Sequence, residues 1–125
     1  MSVVENTLPK DQILRSYGHI TRLFKEGDGG FLFPFRYLVY IEKSPSFSCQ
    51  VLFSVPKKFH KRAHTRNLLK RRTKEAFRLN KSLLWENATD ICVEIALIYS
   101  TKEELNYQTI EHAVKKIIQS VQKRY

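Results

Sequence analysis

The segment from residue 57 to residue 81 constrains the fold more than any other stretch, because it carries half of the basic residues of the chain. Its eleven Lys and Arg residues are accompanied by a single acid, Glu75. The other hundred residues hold 11 basic and 11 acidic side chains, so the whole net charge of +10 arises from this segment. Charge concentrated in one segment attracts polyanions, and we expect this segment to bind phosphate groups.

The residue spacing within the segment predicts a loop over 57–61 and a long helix over about 62–82. On a helical wheel, an arc of roughly 140° is cationic and polar: Arg66, Asn67, Lys70, Arg71, Lys74 and Arg78. An apolar arc of roughly 100° suits packing on a sheet: Thr65, Leu68, Leu69, Ala76, Leu79 and Leu83. Phe77, at the edge of the cationic arc, either tucks under the helix or stacks on a base. Arg72 falls inside the apolar arc, where it either reaches out to solvent or pairs with an acid.

The remaining sequence predicts three strands and two further helices. Alternating apolar residues, apolar runs and i, i+3, i+4 spacings place them: a helix over about 17–26 closed by Gly27, strands over 35–42, 47–55 and 91–98, and a last helix after Asn106. We expect a turn at 28–30 and a hairpin connection at 43–46, with room for a short extra strand near 31–33.

This order of elements predicts an α+β two-layer sandwich, a small and mostly antiparallel sheet with helices packed on it. With 125 residues the chain suits one core, and we expect a flexible tail over 1–9 and a single domain over 10–125. The first ten residues resemble no signal peptide, and no apolar run approaches the roughly 18 residues of a membrane span, so we expect a cytoplasmic protein. Cys49 and Cys92 lie in apolar runs without CxxC spacing and are expected to be small buried side chains.

The cationic face favours RNA over the other polyanions. Arg66, Lys70, Lys74 and Arg78 repeat a like charge at i, i+4, an unfavourable spacing that an external anion offsets. A membrane-surface helix needs a free apolar face, whereas the apolar face here is required by the core. The chain has no zinc-finger spacing, and the basic helix lies between strands, which suits DNA-binding motifs poorly. An α+β sheet that reads backbone and stacks bases suits RNA, so neither membrane nor DNA is expected as a partner.

The sequence offers no protein-based nuclease site. His60 and His64 have the i, i+4 spacing of a metal-binding helix face, but no nearby carboxylate completes a site and the surrounding cations repel a divalent ion. We expect both to be polar residues of an RNA-facing loop. Glu75 is expected to pair with Arg71, Arg72 or Arg78 rather than to act as a base. Neither a catalytic nor a metal-ligating residue is assigned.

Two stretches resemble a known family. The run S54-V-P-K-K58, R66-N-L-L-K-R71 and K74-E-A-F77 is similar to the signature of the bacterial ribonuclease P protein subunit, S-V-S-K-K followed by R-N-R-x-K-R-x-x-R-[EQ]-x-F. Upstream, L14-R-S-Y-G-H-I-T-R-L-F-K-E-G27 resembles the family's L-K-x-x-x-x-F-x-x-V-F-K-x-G helix. Leu68 and Lys74 stand where the family has Arg, Pro56 where it has Ser, and Ile20 where it has Phe.

The resemblance implies a fold of the ribosomal protein S5 domain 2-like type, with a left-handed strand–helix–strand crossover through the basic helix. It implies an endoribonuclease in which a catalytic RNA subunit positions Mg²⁺ and hydrolyses precursor tRNA at the mature 5′ end, while the protein binds that RNA and the 5′ leader. By matched position, the resemblance implies that five residues contact the catalytic RNA and help to organise metal near the leader: Arg66, Asn67, Lys70, Arg71 and Lys74.

We extend the expected RNA-binding set to the neighbouring basic residues Lys57, Lys58, Arg62 and Arg78. By matched position, the resemblance also implies a leader-binding cleft at Ile20, Phe24 and Tyr40. The alternative function is a non-enzymatic ribosomal or other structured-RNA-binding protein built on a similar sheet.

Overall fold

The computed structural model describes residues 7–125, which form four strands and four helices. The strands are β1 (Asp28–Leu32), β2 (Phe35–Lys43), β3 (Ser48–Ser54) and β4 (Ile91–Tyr99), and the helices are α1 (Tyr17–Glu26), α2 (Ala63–Asn80), α3 (Ser82–Trp85) and α4 (Tyr107–Gln122). A 3-10 turn at Lys10–Gln12 precedes α1. The α+β class and the mostly antiparallel sheet predicted from the sequence are confirmed.

The sheet has the order β1-β2-β4-β3, so the last strand in sequence lies between two earlier ones. It pairs antiparallel with β2 and parallel with β3. The hairpin predicted at 43–46 is therefore wrong, because that connection passes across the position of β4. The reason is the composition of β4, whose buried apolar residues are best covered on both faces and both edges. As a result β3, α2 and β4 form a parallel strand–helix–strand unit with the basic helix as its crossover.

The turn predicted at 28–30 is also wrong, since these residues are the first part of β1. Asp28 pairs with Val39 and Gly30 with Tyr37, and the chain reverses at the cis Phe33–Pro34 peptide instead. A Cβ at Gly30 would lie 2.5 Å from the phenol of Tyr37. The glycine signal here reflects close packing against a neighbouring strand rather than a turn.

Helix α1 has the predicted bounds. It begins after Ser16, whose hydroxyl accepts a hydrogen bond from the His19 backbone amide (3.4 Å). It ends at Gly27, as predicted, but Gly27 has extended backbone angles (φ −71°, ψ 151°). A Cβ at this position would lie 2.5 Å from the carbonyl oxygen of Leu23. Glycine is therefore needed at the helix end for space.

Odd-numbered residues of β2, β3 and β4 face α2 and α4 and form the main core. Helix α4 contributes the predicted stripe, which is buried throughout: Ile110, Ala113, Val114, Ile117, Ile118 and Val121. Asn106 caps this helix as predicted, because its Oδ1 accepts a hydrogen bond from the Thr109 amide (2.9 Å). Burying a large apolar side chain contributes about 1.5–3 kcal/mol, so this core is what holds the two long helices on the sheet.

Even-numbered residues of β2 and β4 face the other side of the sheet, where α1 packs. Leu23 of α1 lies against Leu38 and Ala96 together with Leu14. This second core is small, and it leaves the end of the sheet beyond α1 open.

Helix α2 buries Leu69, Thr73, Ala76 and Phe77, an i, i+4, i+7, i+8 stripe that is rotated from the predicted apolar arc. Leu79, which was predicted to pack on the sheet, is 44% exposed. Phe77 tucks under the helix and meets the ring of Phe53 edge to face at 5.7 Å. This stripe can include Thr73 at little cost because its hydroxyl donates to the Leu69 carbonyl (2.8 Å).

The predicted tail over residues 1–9 lies mostly outside the described residues, although Leu8 packs against the main core. Cys49 is buried and Cys92 half-buried, both as free thiols. Within residues 7–125, none of the helices combines the length and the apolar character that crossing a bilayer requires.

Candidate nucleic-acid interface

The outer side of α2 carries a shallow cationic depression of about 410 Å³. It is lined by His64, Asn67, Lys70, Arg71 and Lys74, so the structure brings four of the predicted RNA-binding side chains together. None of the ion pairs formed within residues 7–125 joins Lys70, Arg71 or Lys74 to a carboxylate. This surface, which we call the α2 face, therefore concentrates positive charge with little internal neutralisation.

Arg66 lies apart from that group and is half-buried. Its Nη1 donates hydrogen bonds to the carbonyl oxygens of His60 (3.1 Å) and Lys61 (2.7 Å). The side chain thus ties the first turn of α2 to the loop that precedes it. A guanidinium has five N–H donors, so others are left for phosphate.

Arg78 is held by the single acid of the basic segment. Its Nε and Nη2 donate to the two carboxylate oxygens of Glu75 at 3.0 and 2.5 Å. The hydrogen bond from Arg78 lowers the pKa of the Glu75 carboxyl, which is therefore ionised at neutral pH. Of the three pairings expected for Glu75, the structure selects Arg78.

Two basic residues of the segment turn away from the α2 face. Arg72 takes neither of the predicted arrangements, since its Nη1 donates to the backbone carbonyl of Leu105 (2.6 Å). Lys81 is buried, and its Nζ donates to Oε1 of Gln12 (2.6 Å) and lies 5.7 Å from the Trp85 ring centroid. Both side chains connect α2 to neighbouring segments, so neither is a candidate phosphate ligand.

The loop between β3 and α2 presents Lys57, Lys58 and Arg62 to solvent. His60 departs from its predicted solvent-facing position: it is buried, with Nε2 2.8 Å from the Thr101 carbonyl oxygen and its ring 5.6 Å from that of Tyr99. Within the described residues, no three His, Cys, Asp or Glu side chains converge as a metal site would require.

The open end of the sheet beyond α1 forms a cavity of about 450 Å³ that we call the aromatic cleft. Phe24 of α1, Phe31 of β1 and Phe59 of the basic loop line it, and Arg36 and Lys58 supply positive charge. Phe24 and Phe31 are 48% and 61% exposed, whereas large aromatic side chains are usually buried in the core. Rings and cations arranged in this way can stack bases and contact the phosphates between them.

Of the three residues expected to form the leader cleft, Phe24 alone lines this cavity. Ile20 packs into the second core. Tyr40 packs against the same second core, and the guanidinium carbon of Arg22 is 4.3 Å from its ring centroid. Burial, and then the Glu42 carboxylate, raise the pKa of the Tyr40 phenol. Ile20 and Tyr40 therefore share the second core, while Phe24 lines the aromatic cleft.

A polar cluster beneath α1 fixes the helix on the sheet. Glu94, which is fully buried in β4, accepts hydrogen bonds from His19 Nδ1 (2.7 Å) and Arg22 Nη2 (3.0 Å). Arg22 also pairs with Glu42 at 3.3 Å. His19 is therefore one of the contacts that orient α1 and with it Phe24.

Several residues of these surfaces were missed from the sequence. Arg36 had an available signal, because it alternates with the buried Phe35 along β2 and so lies on the α1 side of the sheet. Phe31 pairs with Arg36 and lies on the same side. Lys10 and Arg15 had none, since their approach to α2 depends on the N-terminal segment folding back beside β3.

The chain is similar in sequence to proteins of one known family. A family model described as Ribonuclease P matches residues 8–122. A ribonuclease P protein component from Chlorobaculum tepidum is 40% identical over 87 residues, which are 63% of this chain and about half (54%) of the length of that relative. A ribonuclease P protein component from Porphyromonas gingivalis is 34% identical over 113 residues, covering 87% of this chain and 82% of that protein.

Two solved structures share the fold. A mutant RNase P protein from Staphylococcus aureus has a TM-score of 0.72 at 20% identity, with 90% of this chain and 89% of that chain covered. The RNase P protein from Thermotoga maritima has a TM-score of 0.67 at 24% identity, with 86% and 96% covered.

Proposed function

This chain belongs to the ribonuclease P protein family, and on that basis we propose that it is the protein subunit of a ribonuclease P. In this role it binds the RNA subunit and the precursor tRNA whose 5′ leader the complex removes by endonucleolytic cleavage. The alternative, a ribosomal or other structural RNA-binding protein, finds no counterpart among the relatives reported above.

The observation that carries the proposal is the α2 face. Its cations repeat along one side of a helix whose opposite side is buried, so the helix cannot rotate them away. Each cation that neutralises an RNA phosphate releases counterions and adds roughly 0.7–0.9 to the slope of log affinity against log salt. The exposed Lys57, Lys58 and Arg62 extend the same charge beyond the start of α2.

The aromatic cleft supports a second contact, to the single-stranded leader. Sequence-tolerant stacking on aromatic side chains is worth about 1–3 kcal/mol per base and suits an unpaired strand rather than a duplex. The cleft holds Phe24, Phe31 and Phe59 on three different elements, with Arg36 and Lys58 beside them. We therefore assign leader binding to this cleft, which shares Phe24 with the Ile20, Phe24 and Tyr40 set expected from the sequence.

Hydrolysis and Mg²⁺ binding are assigned to the RNA subunit. Mg²⁺ prefers oxygen ligands and is usually held by carboxylates and phosphates. The α2 face itself has no carboxylate among its lining residues, and the one carboxylate of helix α2, that of Glu75, is already bound through both oxygens by Arg78. The residues of this face therefore do not fit a Mg²⁺ site, and their contribution is to hold RNA and to neutralise its charge.

Reconstitution tests the proposal. The purified chain is mixed with a bacterial ribonuclease P RNA at a Mg²⁺ concentration too low for the RNA alone, and cleavage of a 5′-labelled precursor tRNA is followed. We expect the protein to restore cleavage at the mature 5′ end. Bovine serum albumin and a polylysine of matched charge serve as controls. If polylysine stimulates equally well, or the chain does not stimulate at all, the proposal is wrong.

A further inference from the structure

A second cationic groove lies along the other flank of the α2 face, where the N-terminal segment approaches the helix. It has a volume of about 490 Å³. Lys10 and Arg15 line one wall, and Arg71, Lys74 and Arg78 line the other. Because Arg71 and Lys74 also line the depression on α2, the two concavities are continuous across the helix.

The N-terminal wall of the groove is fixed by backbone and side-chain contacts. The Leu14 amide donates to the Val51 carbonyl (2.9 Å), which docks the segment on the free edge of β3. Gln50 donates its side-chain amide to the carbonyl of Asp11 (2.9 Å). The buried Lys81 donates to the side chain of Gln12 (2.6 Å). These contacts lie between Lys10 and Arg15 in sequence, so both cations project from a stretch that is held in place.

The charge of the groove is strongly positive. Five cations face one carboxylate, that of Glu75, and this carboxylate is already bound by Arg78. Cations this close repel one another, and an anion with several charged groups offsets that repulsion. Leu8 and Ile13 supply the apolar part of the lining, and none of the described lining residues is aromatic.

We propose that this groove binds the sugar–phosphate backbone of folded RNA, so that Lys10 and Arg15 extend the α2 face into a two-sided grip on the RNA subunit. The inference rests on the function proposed above and deepens it by adding a second set of contacts. Folded RNA is read largely through its backbone and shape, whereas an unpaired strand is held by stacking. A groove without aromatic rings matches the first kind of ligand, and the aromatic cleft matches the second.

The test compares two double variants of the full-length chain. Lys10→Gln with Arg15→Gln removes the charges of the N-terminal wall while keeping long polar side chains. Lys115→Gln with Lys116→Gln is the matched control, since both lysines are exposed on α4 and neither lines the groove. Circular dichroism and thermal unfolding confirm that both variants fold. Dissociation constants for a bacterial ribonuclease P RNA are then measured by filter binding between 0.05 and about 0.3 M KCl.

We expect the Lys10/Arg15 variant to bind on the order of tenfold more weakly and to lose about 1.4–1.8 from the salt slope, as two phosphate contacts require. The control should change affinity less than twofold. The preference of the assembled enzyme for precursor over mature tRNA should stay unchanged, because the leader lies in the aromatic cleft. Equal behaviour of the two variants, or a loss confined to leader preference, would overturn the inference.

Failure of the proposed function has a different signature. If the wild-type chain binds a folded RNA through Lys10 and Arg15 but does not stimulate precursor cleavage, the groove binds RNA as proposed but the chain is not a ribonuclease P subunit. If the wild-type chain stimulates cleavage and the Lys10/Arg15 variant binds RNA as tightly as the control variant, the groove does not bind RNA, and the proposed ribonuclease P function stands. If the wild-type chain binds no folded RNA, both are wrong.

Discussion

Arg66 is expected to contribute both to stability and to RNA affinity, whereas its neighbour on the helix, Lys70, contributes to affinity alone. Arg66→Ala removes two hydrogen bonds from a cationic donor to the carbonyls of His60 and Lys61. Lys70 forms no hydrogen bond or ion pair within residues 7–125 and projects from the α2 face. The two variants remove one positive charge each, so they form a matched pair.

The size of the difference follows from the contacts. Each hydrogen bond has a net value of roughly 0.5–1.5 kcal/mol, so Arg66→Ala should cost about 1–3 kcal/mol. At an unfolding entropy of about 2.1 cal/mol/K per residue, a domain of this length loses roughly 4–12 °C in Tm. Lys70→Ala removes a half-buried side chain that has like-charged neighbours and no hydrogen bond or ion pair among the described residues, so it should stay within about 0.5 kcal/mol of wild type, or roughly 2 °C.

The assay is thermal unfolding by circular dichroism, followed by binding of each variant to ribonuclease P RNA at a temperature where both are folded. We expect a lower Tm for the Arg66 variant alone and a weaker RNA complex for both. If the two variants unfold at the same temperature, Arg66 does not hold the loop. If Lys70→Ala leaves RNA affinity unchanged while Arg66→Ala lowers it, the charge of the α2 face does not contact RNA.

Three further changes test the remaining parts of the molecule. Phe24→Ala removes a stacking ring and should weaken binding of precursor tRNA with a leader by about five- to tenfold, while the affinity for mature tRNA should stay within about twofold of wild type. An equal loss for both tRNAs would show that the cleft does not hold the leader. Arg22→Ala removes a partner of the buried Glu94 carboxylate and should cost about 2–3 kcal/mol in denaturant unfolding, so a cost below about 1 kcal/mol would contradict the role of this cluster. Burial raises the pKa of the Cys49 thiol to about 12, so at pH 8 roughly one molecule in 10⁴ carries the thiolate. Iodoacetamide should therefore modify the half-buried Cys92 first. Equal rates of modification in the folded protein would show that Cys49 is accessible.

The elements with the strongest periodicity were predictable from the sequence. The α4 stripe and its Asn106 cap follow from six apolar residues at helical spacing, because no other arrangement buries them together. The strand β2 follows from the alternation of Phe35, Tyr37, Val39 and Ile41 with the intervening residues, and its observed bounds differ from the predicted ones by a single residue. The α2 face was located because its cations share one side of the helix.

The strand order was not predictable by the same means. Periodicity shows that β2 and β3 are strands but does not show which strand lies beside which. The short connection at 43–46 favoured a hairpin, whereas the central position is taken by β4, the strand with the greatest need for cover on both faces.

The orientations of individual Lys and Arg side chains could not be predicted from the sequence either. The sequence includes Arg66 and Lys81 in the phosphate-binding charge of the segment and leaves two arrangements open for Arg72. In the structure, each of these three side chains donates a hydrogen bond to an oxygen atom of another segment. Those acceptors are backbone carbonyls and an amide that come close only after the chain folds. In the same way, Lys10 and Arg15 join the cations of α2 only because the N-terminal segment docks on β3.

The most direct test of the α2 face is the salt dependence of its binding to ribonuclease P RNA. The triple variant Lys70→Ala, Arg71→Ala, Lys74→Ala is compared with wild type over a series of KCl concentrations. If these side chains contact RNA phosphates, the slope of log affinity against log salt should become shallower by about 2–3, with affinities converging at high salt. Parallel lines with equal dissociation constants would show that RNA is held elsewhere on the protein.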